Sequence, residues 1–183
     1  MCFWLSFRMS DFTVVRYASQ LQAGDHISWP TRMSAGMLSH HAIVVAPQGG
    51  NEFKIIHARM NFRGQAGYNS SGCGRQTSRR TGGSGISVPY VVIEEVRDFS
   101  KEMQKWTLLR YCYEPNECNE PFEVIQNARN KLGNFKFHPL DNNCEHFARR
   151  CKTGNRVSYQ ADSIADSSLS ASAAYSLIES GSL

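Results

Sequence analysis

The chain has 183 residues, with 20 Lys plus Arg against 16 Asp plus Glu (formal net charge +4), 41% hydrophobic and 20% charged residues. That length suits one domain with a closed core, and the composition is neither that of a disordered chain nor that of a fibrous repeat. A charge excess this small does not argue for nucleic acid, and no apolar run approaches the roughly 18–20 residues of a membrane-spanning helix.

Residues 1–20 read as an appended tail, and the core is expected over residues 21–157. Gly24-Asp25 opens into the strand His26-Ile27-Ser28-Trp29, which Pro30 limits because proline cannot donate to a ladder. Ala42–Ala46 and Phe53–His57 are two short β-branched runs separated by PQGGN, the pattern of a β-hairpin. From Phe53 to Ile93 there is no Asp or Glu, and residues 59–87 form a basic stretch rich in Gly and Ser. Such a stretch is either a solvated insertion or an arm that meets anionic headgroups or another acidic partner.

Val88–Ile93 and Trp106–Tyr113 are read as further strands. After Pro121 the period changes: Phe122, Ile125, Ala128, Arg129 and Leu132 recur at spacings of three and four, with Gly133 closing a predicted amphipathic helix. Phe135–Pro139 reads as extended. Asn142-Asn143 then caps a second predicted helix from Cys144 to about Lys152, ended by Gly154, and residues 158–183 read as a weakly ordered Ser/Ala-rich tail.

The six cysteines are Cys2, Cys73, Cys112, Cys118, Cys144 and Cys151. A chain of this size does not need a disulfide framework, and Met1–Phe12 lacks the pattern of a secretory signal. The expectation is reduced thiols in a cytoplasmic setting, with peripheral membrane contact through the basic loop.

Cys144 is the strongest chemical candidate. At the first turn of a helix, unpaired N–H groups and the helix dipole favour an anion, which promotes thiolate and can hold an oxyanion. The alternative is a small buried hydrophobe. His146 is a poor base for it, because residues two apart on an α-helix point about 200° apart. The base has to come from elsewhere, and His40 at the entry of the AIVVA strand is the best placed. His41 beside it points to the opposite face. His57 ends the neighbouring strand and can lie next to His40, one histidine orienting the other. Zinc has no C-x2-C, H-E-x-x-H or H-x-x-x-H pattern to hold it, so no metal or cofactor is implied.

The string Asn143-Cys144-Glu145-His146-Phe147, taken with Gly24-Asp25 and with His40-His41-Ala42-Ile43-Val44-Val45, resembles the LRAT-like family, which groups lecithin retinol acyltransferase with small phospholipase/acyltransferases. The resemblance spans about Leu21 to Gly154. It implies an α+β fold in which an antiparallel β-sheet packs against the helix bearing the nucleophilic Cys, a circular permutation of the NlpC/papain-like arrangement. By motif matching, Cys144 takes the nucleophile position, His40 the general-base position and His57 the orienting position. The implied chemistry is attack on an sn-1 or sn-2 ester of a glycerophospholipid acyl donor. The thioester so formed passes its acyl group to water, an amine, a lysolipid or an alcohol.

The chain departs from the family pattern at His41, where an aromatic residue is common, and at Leu38, near which a Tyr often stands. The His40–His57 separation is also long, and the tail carries no apolar anchor. Two other readings stay open: an interaction or regulatory module with a catalytically weak site, and an NlpC-like cysteine peptidase or amidase. A working thiol site should bring the Cys144 sulfur to roughly 3–4 Å from a nitrogen of His40.

Overall fold

A computed structural model describes residues 12–31, 39–60 and 90–166. Leu38, nearly all of the basic stretch (61–87) and the termini beyond these limits lie outside the described residues. The fold is α+β. Seven strands form one antiparallel sheet: β1 (Phe12–Val14), β2 (His26–Pro30), β3 (Ser39–Gly49), β4 (Glu52–Met60), β5 (Tyr90–Asp98), β6 (Leu109–Tyr111) and β7 (Gly133–Phe135). Their lateral order is β1-β6-β2-β3-β4-β5-β7. Among the described residues four α-helices complete it: α1 (Ser100–Gln104), α2 (Pro121–Arg129), α3 (Cys144–Thr153) and α4 (Tyr159–Asp166).

Side-chain alternation divides the sheet into two buried faces. Ile27, Trp29, Ala42, Val44, Phe53 and Ile55 line one face and pack on Phe99, Met103 and Leu108, from and around α1. Ile43, Val45, Ile56, Ala58 and Val92 line the other, against Val124 and Ala128 of α2 and Phe147, Ala148 and Cys151 of α3. Burial on both faces explains the unbroken apolar run of AIVVA, in place of a half-polar alternation.

The hairpin forms as expected, but its strands run longer than Ala42–Ala46 and Phe53–His57. Pro47 is accommodated inside β3 because it lies beyond His26↔Ile43, the last β2–β3 pair at that end, and beside register shifts in the β3–β4 ladder. The expected strand Val88–Ile93 begins within the described residues at Tyr90 and continues to Asp98. Trp106–Tyr113 is a correction: α1 precedes it, Trp106 sits at φ 56 in the turn, and the strand is reduced to Leu109–Tyr111. Helix α2 stops at Arg129, and Gly133 (φ +107) opens β7 instead of closing the helix, so β7 takes the place of an extended Phe135–Pro139. At the ends of the expected core, Phe12–Val14 pairs with β6, and Tyr159–Asp166 is helical where a weakly ordered tail is expected.

The Gly24-Asp25 box joins two elements. The Gly24 N–H donates to the Val44 carbonyl at 2.8 Å, and Asp25 accepts the Gln22 N–H at 2.8 Å to form the turn into β2. Gly24 adopts φ +83, and a Cβ there would lie 2.7 Å from the Pro121 Cα at the start of α2. Two constraints therefore select glycine: a left-handed backbone and backbone-to-backbone contact with α2. Gly24→Ala is expected to destabilise the protein by about 2–4 kcal/mol, combining left-handed strain with overpacking. Urea unfolding checks this, and a midpoint equal to wild type would refute it.

Candidate active site

The pentapeptide 143–147 is used in full. Asn143 is the N-cap of α3: its side-chain oxygen accepts the N–H groups of Glu145 (2.9 Å) and His146 (3.0 Å). The His146 ring closes a capping box by accepting the Asn143 N–H through Nδ1 at 3.2 Å, so it is a helix cap and not a base for the neighbouring cysteine. Phe147 packs edge-on to Phe135 in the core. Glu145 is buried and accepts Arg149 Nε (2.9 Å), the Ser158 hydroxyl (2.8 Å) and the Gln160 N–H (3.0 Å). Burial alone would raise its pKa, but the His41 ring, these donors and Arg149 hold it below the ordinary carboxylate value.

Cys144 keeps part of its surface open, and its sulfur lies against β3 at a break in the sheet. The β3–β4 ladder has its last pair at Ala42↔His57, although β3 extends back to Ser39 and β4 on to Met60. Val44 exchanges backbone hydrogen bonds with Gly24 and Asp25 on the β2 side, so by alternation Ser39 and His41 direct theirs toward β4. Among the described residues no strand meets the Ser39 carbonyl or the His41 N–H there; the sulfur does. Cys144 Sγ donates to the Ser39 carbonyl at 3.7 Å, and the His41 N–H points to the sulfur. The sulfur therefore touches the backbone on both sides of His40.

Alternation puts His40 and His57 on the Trp29 face of the sheet, where His40 meets the edge of the Trp29 ring (centroids 4.9 Å apart). His40 Nε2 and His57 Nδ1 are 2.6 Å apart, and His57 Nε2 is 3.0 Å from Glu95 Oε1. A carboxylate only accepts, so His57 carries its proton on Nε2 and accepts at Nδ1 from His40 Nε2–H. His40 Nδ1 is left as the nitrogen with the lone pair. Arg59 binds the other oxygen of Glu95 at 3.0 Å. The hydrogen bond from His57, aided by the charges of Arg59 and Arg97, keeps Glu95 ionised, with its pKa below the ordinary value.

Helix-start placement predicts a lowered thiol pKa, and here the structure overturns the expectation. Burial pushes Cys144 up to about 11, outweighing the N–H groups of His41, Cys144 and Glu145 that favour thiolate. Burial, then the neighbouring His57, His41 and Arg97, push His40 well below its ordinary value. Burial thus opposes both thiolate and imidazolium in the resting site.

The structure thus pairs the His40 and His57 rings and sets the Cys144 sulfur against the backbone beside His40; the hydrogen bond of that sulfur goes to the Ser39 carbonyl, not to a His40 nitrogen. Glu95 lies beyond the expected strand end at Ile93; period-2 alternation continued to residue 95 is the signal in the sequence that points to it. Tyr90 is a second addition. Its hydroxyl is buried with no hydrogen-bond partner, its ring stacks on Phe137 (centroids 4.1 Å apart), and burial followed by the nearby Cys144 raises its pKa. It shares the α3 face of β5 with Val92. Among the described residues no three His, Cys, Asp or Glu side chains are grouped as a metal would need. No helix among them is long and apolar enough to cross a membrane.

A family model for lecithin retinol acyltransferase matches residues 19–157, well over half of the chain. The chain belongs to the lecithin retinol acyltransferase family. Membership supports a general acyltransferase or phospholipase-type function. No curated protein and no solved structure gives a significant match. The family match covers the cap Asn143, Cys144, His40, His57 and Glu95; it stops before α4.

His26 and His41 are fully buried, and burial lowers both, His41 from 6.5 to about 4. In the unfolded chain these rings take up protons near pH 6.5, whereas folded His41 stays neutral down to about pH 4. Stability is therefore complete above pH 6.5 and falls as pH drops toward 4, by up to about 1.4 kcal/mol per pH unit for each proton. Urea midpoints measured across that interval should decline steeply; a flat profile would contradict the neutral buried pair.

Proposed function

We propose that this protein is a thiol-dependent phospholipid acyltransferase or phospholipase A that works through an acyl-Cys144 thioester. The observation that carries the reading is the sulfur set against the backbone on both sides of His40, whose ring is oriented by His57 and Glu95. In the reaction, Cys144 leaves the Ser39 carbonyl and passes its proton to His40 Nδ1 as the sulfur attacks the ester carbonyl of a glycerophospholipid. The tetrahedral intermediate collapses, His40 returns the proton to the departing lysolipid oxygen, and the acyl group stays on sulfur. Water, an amine, a lysolipid or an alcohol then gives its proton to His40, attacks the thioester, and the product leaves with thiolate reprotonated.

The oxyanion needs donors. Asn143 already occupies the N–H groups of Glu145 and His146, which leaves the Cys144 N–H at the head of α3. The unpartnered Tyr90 phenol supplies a second donor, in place of a family Tyr near position 38. Access to bilayer substrate is assigned to the basic stretch, acting at the membrane periphery from the cytoplasmic side. Burial that opposes both charges favours one competing reading, an interaction module with an idle site.

Incubation with phosphatidylcholine vesicles followed by intact-mass spectrometry decides between them. An acyl adduct on wild type that is absent from Cys144→Ala supports acyl transfer; no adduct on wild type favours the module. Glu95→Gln, which frees the His57 tautomer, is expected to cut kcat by about 10–100-fold with little change in KM. Tyr90→Phe should cost about 100-fold in kcat if the phenol meets the oxyanion, and a wild-type rate would remove that role. Because His40 sits well below its ordinary value of 6.5, the acid limb of kcat/KM should fall below that pH.

A further inference from the structure

Helix α4 lies beyond the family match, yet its Gln160 uses every polar group of its side chain at the site. Its Oε1 accepts the Ser39 N–H at 2.6 Å, and its Nε2 lies 2.8 Å from His41 Nε2. Its own N–H donates to Glu145 at 3.0 Å, and the preceding Ser158 hydroxyl bridges Glu145 (2.8 Å) and Asn143 (3.0 Å). The start of α4 is thus fastened to the head of α3 and to β3 together. Ser39 and His41, the residues held by Gln160, are the same two whose carbonyl and N–H meet the Cys144 sulfur.

The amide also sets a direction. A backbone N–H only donates, so the Gln160 atom facing Ser39 is oxygen and the atom facing His41 is the NH2 group, which donates. His41 therefore accepts at Nε2 and carries its proton on Nδ1. That proton goes to His26 Nε2, 2.8 Å away, so His26 is protonated on Nδ1 and donates to the Tyr113 oxygen at 2.6 Å. One glutamine fixes the tautomers of two buried histidines.

We propose that Gln160 is a positioning residue for acyl transfer: by bridging the Ser39 N–H and the His41 ring it holds the β3 backbone on both sides of His40 in register with the Cys144 sulfur, and it locks the hydrogen-bond direction through His41, His26 and Tyr113. This rests on the acyl-transfer reading of the site. It also gives His41 a purpose, since an aromatic ring at that position could not accept the amide hydrogen.

The test uses the full chain and Gln160→Met, which keeps the side chain's length and removes both hydrogen bonds. Nitrogen-15 histidine NMR should show wild-type His41 as a single Nδ1–H tautomer and the variant as a mixture. Acylation of Cys144 by phosphatidylcholine vesicles should lose about tenfold or more in kcat with KM nearly unchanged, the signature of misplaced reacting groups. An unchanged His41 tautomer, or a wild-type kcat in the variant, overturns the proposal. Should the methionine variant fail to fold, Gln160→Glu keeps the Ser39 bond but can only accept from His41. Reversal of His41 to Nε2–H then supports the proposal, and retention of Nδ1–H refutes it. If wild type forms no adduct, the acyl-transfer reading fails by itself, and the tautomer alone decides whether Gln160 sets the chain.

Discussion

The structure depends on a vacancy in a hydrogen-bond ladder. After Ala42↔His57, β3 and β4 part, while β3 remains paired to β2 and β4 to β5. Ser39 and His41 then present a carbonyl and an N–H with no strand opposite among the described residues. Backbone groups taken from water demand partners, and here the Cys144 sulfur meets both of these while the Gln160 amide oxygen accepts the Ser39 N–H. The head of α3 is drawn to this place because it is where the sheet is unfinished. The break also solves a geometric difficulty: α3 packs on one face of the sheet and the His40–His57 pair lies on the other. Across an unbroken sheet they would be separated by a paired strand; at the gap they share the backbone of residues 39–41.

Around this gap the polar groups fall into two separate chains. Glu95, His57 and His40 run along the Trp29 face, while Gln160, His41, His26 and Tyr113 run along the α3 face. Each chain has a fixed end that accepts or donates in one way, a carboxylate in the first and an amide in the second, so each has a defined proton arrangement. Adjacent histidines on a strand are thus put to different uses by nothing more than the two-residue period. Both chains run partly buried beside a core of Ile, Val, Phe and Ala, with His26, His41 and His57 shut from water, where an unpaired polar atom is costly and a paired network fixes geometry.

Much of this was readable in the residues. Asn143 and Gly154 bound α3 as their capping chemistry requires, and His40 and His57 pair across neighbouring strands. The family boxes were equally plain, although only the structure shows that Gly24 is selected by contact with Pro121. What escaped the sequence has a common physical origin. Glu95 follows an apolar run and looks like the end of a strand until its neighbours in β4 are known. Helix α1 is five residues long, too short for periodicity to show. Helix α4 is eight residues of mixed character, and its start is tied to α3 and β3 by Ser158 and Gln160 hydrogen bonds, which no local pattern announces. The thiol's pKa departs from the helix-start expectation because a helix N-terminus is visible in sequence and depth of burial is not.

The burial of the thiol bears on how such a site could react. A preformed thiolate–imidazolium pair would need two charges in a gap lined by Trp29 and the sheet core, and burial opposes both. In the proposed reaction charge is created only as the sulfur attacks. When His40 gains a proton at Nδ1, its Nε2–H becomes a stronger donor to His57, and His57 in turn a stronger donor to Glu95, so an ionised carboxylate two rings away stabilises a cation that does not exist in the resting site. The interaction strengthens on the way to the transition state and is nearly idle before it, which is the condition for lowering a barrier without tightening ground-state binding. Arg59 on the far oxygen of Glu95 acts against this by drawing off part of the carboxylate's charge, but it also pins the group in place, so that His57 always finds an acceptor at the same point. Geometry is kept at a modest cost in field, a reasonable exchange where the proton has to travel along one defined line.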